Sequence, residues 1–538
     1  MISGAPLARC GMACHSGKMV TIKSFNPLSP TEEKLLAECA SPARIMVGDG
    51  ELPLESTPDC TIRAALIRYI LLGGVDLDQK GLRLRGAWIK GTLDLQGSDC
   101  ARDITLTHCQ IDDPLTLVNA SLRGLHISGC HIKGLSADNA SFSGSVYMRG
   151  GTQVSGEIGL AGARIKGDLQ LCDLVINPTG QDAVFAPSLR VEGSVFLGNY
   201  PYGDGATTLT ANGSLFFSSA RVEHDFFVTN TAISPMDAAL GEAVFGATEE
   251  HGSDIALSLA RARIGGLLYF QDNQVSRGII NLAGAQVARL KDEPAGPGAN
   301  YPVRLDGFRY KDFSRHTDTS VASRLAWLDR RPVGTPFTTQ PFEQLAYVLD
   351  QMGHRNDART VLMHKERLQR AENRRILKQD GRLIRWLLSV ITDPVLRFTI
   401  GYGYRPVRSV GLALILIVGL GLFYRAVWDA GDMAPNSAPI LVSNAWVEAT
   451  ETHPDNPAAF WSQPGQAGQD WETFSGFAYA ADLVIPIVNL GEESAWAPST
   501  SRSPLGRIGW WLRWFAKGLG WIVTALGAAA ITGVIRKD

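Results

Sequence analysis

One pattern, small-x-aliphatic-x-Gly-x-aliphatic-x-aliphatic, recurs from residue 86 to about residue 292 of this 538-residue chain and restricts its fold more than any other feature. It is plainest in Ala87, Ile89, Gly91, Leu93 and Leu95, in Ala140, Phe142, Gly144, Val146 and Met148, and in Ala163, Ile165, Gly167, Leu169 and Leu171. Further copies begin at Ser98, Cys109, Ala120, Cys130, Thr152, Leu189, Leu209, Ala220, Ala262, Asn273 and Ala285. From residue 87 to residue 163 the starts lie 10 to 12 residues apart, a period of about eleven. The apolar positions alternate, so each unit is a short strand with one buried face. Such a strand cannot stand alone, and stacking must bury the inward row. Two units make a coil of about 22 residues, which predicts a right-handed parallel β-helix, an all-β solenoid. In this reading the middle Gly lets the chain bend sharply before the next strand, and Cys109 and Cys130 fall one coil apart. An antiparallel sandwich would want hairpin turns of the Asn-Gly kind. The one such pair, Asn212-Gly213, falls inside a unit.

Breaks in the period at 172–188, 198–208 and 229–258 read as loops, which in solenoids gather on one face and bind partners. Residues 1–30 read as a flexible N-terminus, with Met19 an alternative start. Residues 31–79 read as a helical cap whose second helix runs from Cys60 to Gly73 and Gly74. The β-helix occupies 80–292, and a linker follows at 293–335. The eight cysteines all precede residue 173, and none forms a CxxC pair. They read as buried, reduced thiols of a cytosolic portion.

The second half has a different character. Residues 341–353 form an amphipathic helix with a Gly353 stop, and His354 opens another. This αα-hairpin, spanning 336–380, is expected to pack on the end of the β-helix. Residues 365–408 hold eleven Lys and Arg against four carboxylates. Arg374, Arg375, Lys378, Arg382, Arg385 and Trp386 point to an anionic membrane surface, with 381–408 a basic amphipathic juxtamembrane segment. Nucleic acid is the usual rival for a basic run. The overall net charge of −2 gives it no global attraction, and the apolar runs that follow decide for the membrane. They predict two transmembrane helices, at 409–428 and within 508–535, flanked by Trp428, Trp510, Trp511, Trp514 and Trp521. With no signal-like core in about the first 25 residues, both termini are expected in the cytoplasm and the acidic loop 429–507 outside.

The tail carries a resemblance. Gly401-Tyr-Gly-Tyr-Arg-Pro406, Asp482-Leu-Val-Ile-Pro-Ile-Val-Asn-Leu-Gly-Glu-Glu-Ser-Ala-Trp496 and the closing run from Gly520 to Asp538 resemble a bacterial family of membrane-anchored, pentapeptide-repeat-like β-helix proteins. Its members are often labelled membrane-associated oxidoreductases, and the resemblance implies the inner membrane. The chain departs from true pentapeptide repeats in its period of eleven. It also lacks the motifs that redox chemistry would need: no strand–GxGxxG–helix unit, CxxCH site or ferredoxin-type cysteine run is present. No cofactor is expected.

Candidate sites are few. Asp112 and Asp113 read as a solvated turn rather than paired catalytic carboxylates. His108, Cys109, Cys130 and His131 have metal-ligand chemistry, but strand alternation turns each His away from its neighbouring Cys. An apolar stretch, 477–490, broken by Pro486, carries Asp482 and is followed by Glu492 and Glu493. These carboxylates would ring a cation path if that stretch were re-entrant in an oligomer. The leading expectation is a membrane-anchored scaffold or sensor whose β-helix binds a protein partner without catalysis. A homo-oligomeric cation channel and an oxidoreductase are the alternatives.

Overall fold

The structure, a computed structural model, describes residues 21–180, 182–235, 254–294 and 300–532. Residues 1–20 of the expected flexible N-terminus, 236–253 of the third loop, 295–299 of the linker and 533–535 of the last span lie outside the described residues. The chain divides into two compact units, Met1–Ala358 and Arg359–Asp538.

The first unit is a parallel β-solenoid of about 10 turns. Among the described residues its strands form three parallel stacks of 15, 8 and 9. The largest stack receives two runs from most coils, such as Arg164–Ile165 and Leu169–Cys172. Coil length follows from the register: Leu125 pairs with Val146, and Val146 with Leu169, close to the expected 22 residues. Where loops intervene the coil lengthens, most at Phe226↔Leu268. The inward rows are aliphatic and inaccessible to solvent, among them Ile89, Leu95, Leu106, Ile158 and Leu169. Fully burying each such side chain contributes about 1.5–3 kcal/mol.

The eleven-residue period has a conformational cause. The residue just before most units adopts a left-handed backbone: His108 at φ 49°, Asn119 and Asn139 at 54°, Ser219 at 59°, Arg261 at 57° and Asp272 at 56°. Glycine takes the equivalent place at Gly86, Gly97, Gly129 and Gly162. Such a corner ends most half-coils, and a small buried residue such as Ala87, Cys109 or Ala140 follows it into the core. Left-handed geometry costs most L-residues about 1–2 kcal/mol and is borne best by Gly and Asn. Asn139 is solvent-exposed, so Asn139→Ala should destabilise the solenoid by roughly 1 kcal/mol while Asn139→Gly stays near neutral. Thermal unfolding followed by circular dichroism would check this, and equal losses in the two variants would refute it.

The middle glycines serve two ends: Gly91 takes a left-handed bend (φ 87°) with open space around it, as expected, while others answer to crowding. Gly144, Gly167 and Gly193 are not in the left-handed region. A Cβ on Gly144 would lie 2.9 Å from the Arg123 carbonyl oxygen, and one on Gly193 2.7 Å from that of Gly167. They are required by the close approach of successive coils. The residue after each joins a polar ladder: Asp168 N donates to Ser145 Oγ (3.0 Å), Ser194 N to Asp168 Oδ1 (2.9 Å) and Leu267 N to Asp225 Oδ1 (2.7 Å).

Several local expectations change. The helix expected from Cys60 starts later: Thr61–Arg63 is a strand pairing Ile62 with Ile89, and α2, Ala64–Tyr69, runs on as a π-helical turn, Ile70–Gly74, to the expected glycine stop, after α1 at Pro30–Glu38. Ile62 is fully buried, so strand pairing and core burial override its helix-like pattern. The segment 172–188 is mostly coil, containing Leu174–Ile176 and Asp182–Phe185. The ladder also runs on past residue 292 into the expected linker. Val303–Arg304 pairs with Ile280 and Asn281, and Arg309–Phe313 pairs alongside Gln286–Asp292.

Helices cover that end. On α3, Val321–Leu328, Arg324 is fully buried against Asp292. On α4, Gln340–Gln351, the side-chain amides of Gln340 and Gln344 donate to the carbonyls of Phe308 (3.1 Å) and Tyr310 (2.8 Å). The first helix of the expected hairpin therefore seals the edge of the last strand.

The second unit contains α5 (Arg355–Gln379, which begins in the first unit), α6 (Leu383–Thr399), α7 (Val407–Asp429) and short helices α8–α12. These are Ala438–Leu441, Asn444–Thr452, Pro457–Trp461, Gly476–Val484 and Glu492–Ala495. The last described helix is α13, Pro504–Ile531. By length and composition α7 and α13 could cross a membrane, a test that the core helix of a soluble protein also passes. A short antiparallel pair, Met433–Pro435 with Trp496–Pro498, closes the segment between them.

Candidate functional site

The outer face of the largest sheet carries one side chain per coil in unbroken register: Arg83, Thr105, His126, Tyr147, Gln170, Phe196, Phe227, Tyr269 and Lys291. Parallel in-register stacking makes such a row inevitable wherever one outward position keeps its type from coil to coil. The rings lie on one another: His126 and Tyr147 at 4.9 Å and 15°, Phe196 and Phe227 at 4.9 Å and 7°. Lys291 sits 4.4 Å from the Tyr269 ring centroid. The loop at 198–208 folds Tyr200 and Tyr202 edge-on against Phe196, so this part of the row is covered by its own chain.

The other end of the row is open. There a cavity of about 540 Å³ is lined by Arg44, Lys80, Arg83, Asp103, Thr105, Thr107, His126, Ser128, Tyr147 and Arg149. Asp103 lies 3.7 Å from Arg123, and Arg83 donates to the Pro42 carbonyl. Among the described residues Arg44, Lys80 and Arg149 have no carboxylate partner, and Arg149 lies over the Tyr147 ring at 5.4 Å. Burial lowers the His126 imidazole below its usual range, and Arg149 adds to this against the opposing pull of Asp103. His126 thus offers a neutral ring at neutral pH. Sequence reasoning missed this site, because its members are outward positions of the repeat or, like Arg44, Lys80 and Arg83, precede it. The signal available was the outward aromatic sequence Tyr147, Phe196, Phe227 and Tyr269.

The residues singled out in the sequence are placed as follows. Cys109 and Cys130 stack inside the solenoid, with Cys109 N donating to Cys130 Sγ at 3.3 Å, and burial pushes the Cys130 thiol well up. His108 instead faces Glu51 at 3.0 Å, and His131 pairs on the outer row with Gln110 and Gln153. Among the described residues no three metal-ligating side chains gather. Asp113 accepts a hydrogen bond from Thr92 Oγ1 (2.7 Å) in its turn.

In the second unit the carboxylates have local partners. Asp482, on α11, accepts from Leu490 N (2.6 Å) and Glu493 N (3.2 Å). Glu493 pairs with Arg513 at 3.0 Å and with Lys517 on α13. Glu492 accepts from Ser475 N (2.9 Å). α11 lies close against both long helices: a Cβ on Gly476 would meet Arg425 N at 3.0 Å, and one on Gly520 would meet Val484 Cα at 2.8 Å. Trp428 is not a free interfacial anchor, since it stacks on Phe474 at 4.7 Å and meets Trp496 edge-on. Trp511, Trp514 and Trp521 are exposed.

Of the basic residues, Arg374 bonds Asp393 at 2.8 Å, while Arg375, Lys378, Arg382 and Arg385 are exposed and Trp386 is half-buried. On α6, Leu383, Ile384, Leu387, Leu388, Ile391, Val395 and Phe398 are exposed, at the spacing of one helical face.

Comparison with family models, curated proteins and solved structures found no match. The pentapeptide-repeat and oxidoreductase labels therefore rest on the sequence resemblance alone.

Proposed function

We propose that the chain is a scaffold or sensor, without catalysis, held in the bacterial inner membrane by α7 and α13 and presenting its solenoid in the cytoplasm. The observation that carries this reading is the outward apolar surface of the second unit. Only 22% and 28% of the most apolar stretches of α7 and α13 are buried, and α6 adds an exposed apolar stripe beside Arg382 and Arg385. Exposed apolar area on this scale marks a membrane or an interface. In this reading α6 lies in the headgroup region against anionic lipid, and a right-handed solenoid offers its outer row to a partner. The channel alternative gains no support from Asp482 and Glu493, whose carboxylates are engaged within the unit.

The test is topological. Cysteine introduced at exposed Gln463 should react with an impermeant maleimide in intact cells, whereas one at exposed Asp204 should react only after permeabilisation. Equal labelling of both positions, or a chain that leaves the membrane fraction in alkaline carbonate, would refute the arrangement.

A further inference from the structure

We infer that the open end of the outer row is a binding site for a nucleotide, a ligand with a planar ring and two or more phosphate groups. This rests on the reading of the solenoid as a sensor and names what it senses.

The ring seat is a gap in a regular structure. Strands in a sheet lie about 4.8 Å apart, so Arg83 and His126, two coils apart, are separated by about 10 Å. The side chain between them is Thr105, far smaller than the rings at the same position in later coils. One face of His126 is covered by Tyr147, and the other looks into the cavity above Thr105. A planar ring seated there would stack on a neutral imidazole, with the Arg83 guanidinium across from it.

The phosphate seat is a set of unpaired cations. Arg44, Lys80 and Arg149 converge on the same cavity without carboxylate partners among the described residues, beside the Thr107 and Ser128 side chains. The one acid lining the cavity, Asp103, is drawn toward Arg123. Guanidinium groups bind phosphate oxygens in pairs, and charge-assisted bonds of this kind are roughly twice as strong as neutral ones. The mouth of the cavity is open to solvent at exposed Arg44, Lys80 and Arg149, so no rearrangement of the solenoid is needed for entry.

Binding to the full-length protein in mild detergent is measured by calorimetry with ADP, pyrophosphate and adenosine as probes. ADP should bind at least tenfold more tightly than pyrophosphate, adenosine should bind far more weakly than ADP, and affinity should fall with added salt. Lys80→Ala and Arg149→Ala should each weaken ADP about tenfold. Thr105→Phe continues the ring row as Phe196 and Phe227 do, so it should fold normally and reduce ADP to the affinity of pyrophosphate. No heat of binding with ADP, or unchanged affinity in the Arg149→Ala variant, would overturn the site. Pyrophosphate binding as tightly as ADP would overturn the ring seat. Maleimide topology is independent of these measurements, so failure here leaves the membrane reading standing and identifies the ligand class as the error.

Discussion

Replacing Arg324 by alanine should destabilise the C-terminal end of the solenoid by about 3–5 kcal/mol, the usual loss when one partner of a buried ion pair is removed. Arg324 is inaccessible to solvent and meets Asp292 with two parallel bonds, Nη1 to Oδ2 at 3.0 Å and Nη2 to Oδ1 at 2.7 Å. Its Nε donates to the Asp318 carbonyl at 2.6 Å, and its guanidinium lies 4.3 Å from the Phe313 ring centroid. Truncation leaves the Asp292 carboxylate buried without its counter-charge and opens a space beside Phe313 and Trp327. Because a solenoid is held together coil by coil, the damage should be local. Amide exchange should accelerate in 286–313 and stay unchanged in 82–132. The double substitution Arg324→Met with Asp292→Leu should recover most of the loss, since apolar residues of similar volume often replace a buried pair without cost. Uniform exchange along the solenoid, or no recovery in the double variant, would refute the account.

Arg324 also shows where the sequence was legible and where it was not. The period-two alternation identifies the strands because every inward residue must be apolar, and the register of Leu125, Val146 and Leu169 follows from it. The middle glycine is a less uniform mark, since Gly144, Gly167 and Gly193 answer to crowding between coils and Gly91 to a left-handed bend. The last coil keeps Gly307 at a left-handed corner (φ 75°) ahead of buried Phe308 and Tyr310. It has no middle glycine, so it read as linker. Corners marked by Gly, Asn or Asp before a small or apolar residue are the more durable signal, because the backbone must turn in every coil. Thr61–Arg63 was missed for a different reason: a strand of three residues running straight into a helix leaves no period of its own. The open cavity was illegible because its cations, from Arg44 to Arg149, are brought together only by coil stacking. In the second unit, hydropathy located α7 and α13. The contacts of α11 depend on Gly421, Gly476 and Gly520, whose role appears only when helices are packed.

The stability of the second unit should depend on pH through Glu492, in the direction opposite to that of most carboxylates. Glu492 opens α12 after Gly491 and is 3% exposed. One of its oxygens accepts from Ser475 N, while the other, Oε2, is buried without a hydrogen-bond partner. Burial raises its pKa to about 7, with the Glu472 and Asp482 carboxylates adding to the rise and the Ser475 amide opposing it. The folded value therefore lies above the reference value of 4.5, and between the two the folded state holds a proton that the unfolded state has released. The associated stability is fully present below about pH 4.5 and is lost as pH rises through about 7. A shift of this size corresponds to roughly 3 kcal/mol between the two ends of the window. Glu492→Gln keeps an acceptor for Ser475 and carries no charge, so it should match the parent protein near pH 4.5 and exceed it increasingly up to pH 8.5. Thermal midpoints of both proteins in one detergent at pH 4.5, 6, 7 and 8.5 give the difference directly, with all other titrating groups cancelling. Parallel curves would mean that Glu492 is ionised and solvated in the fold. Its buried, unpartnered oxygen would then have to be reached by water.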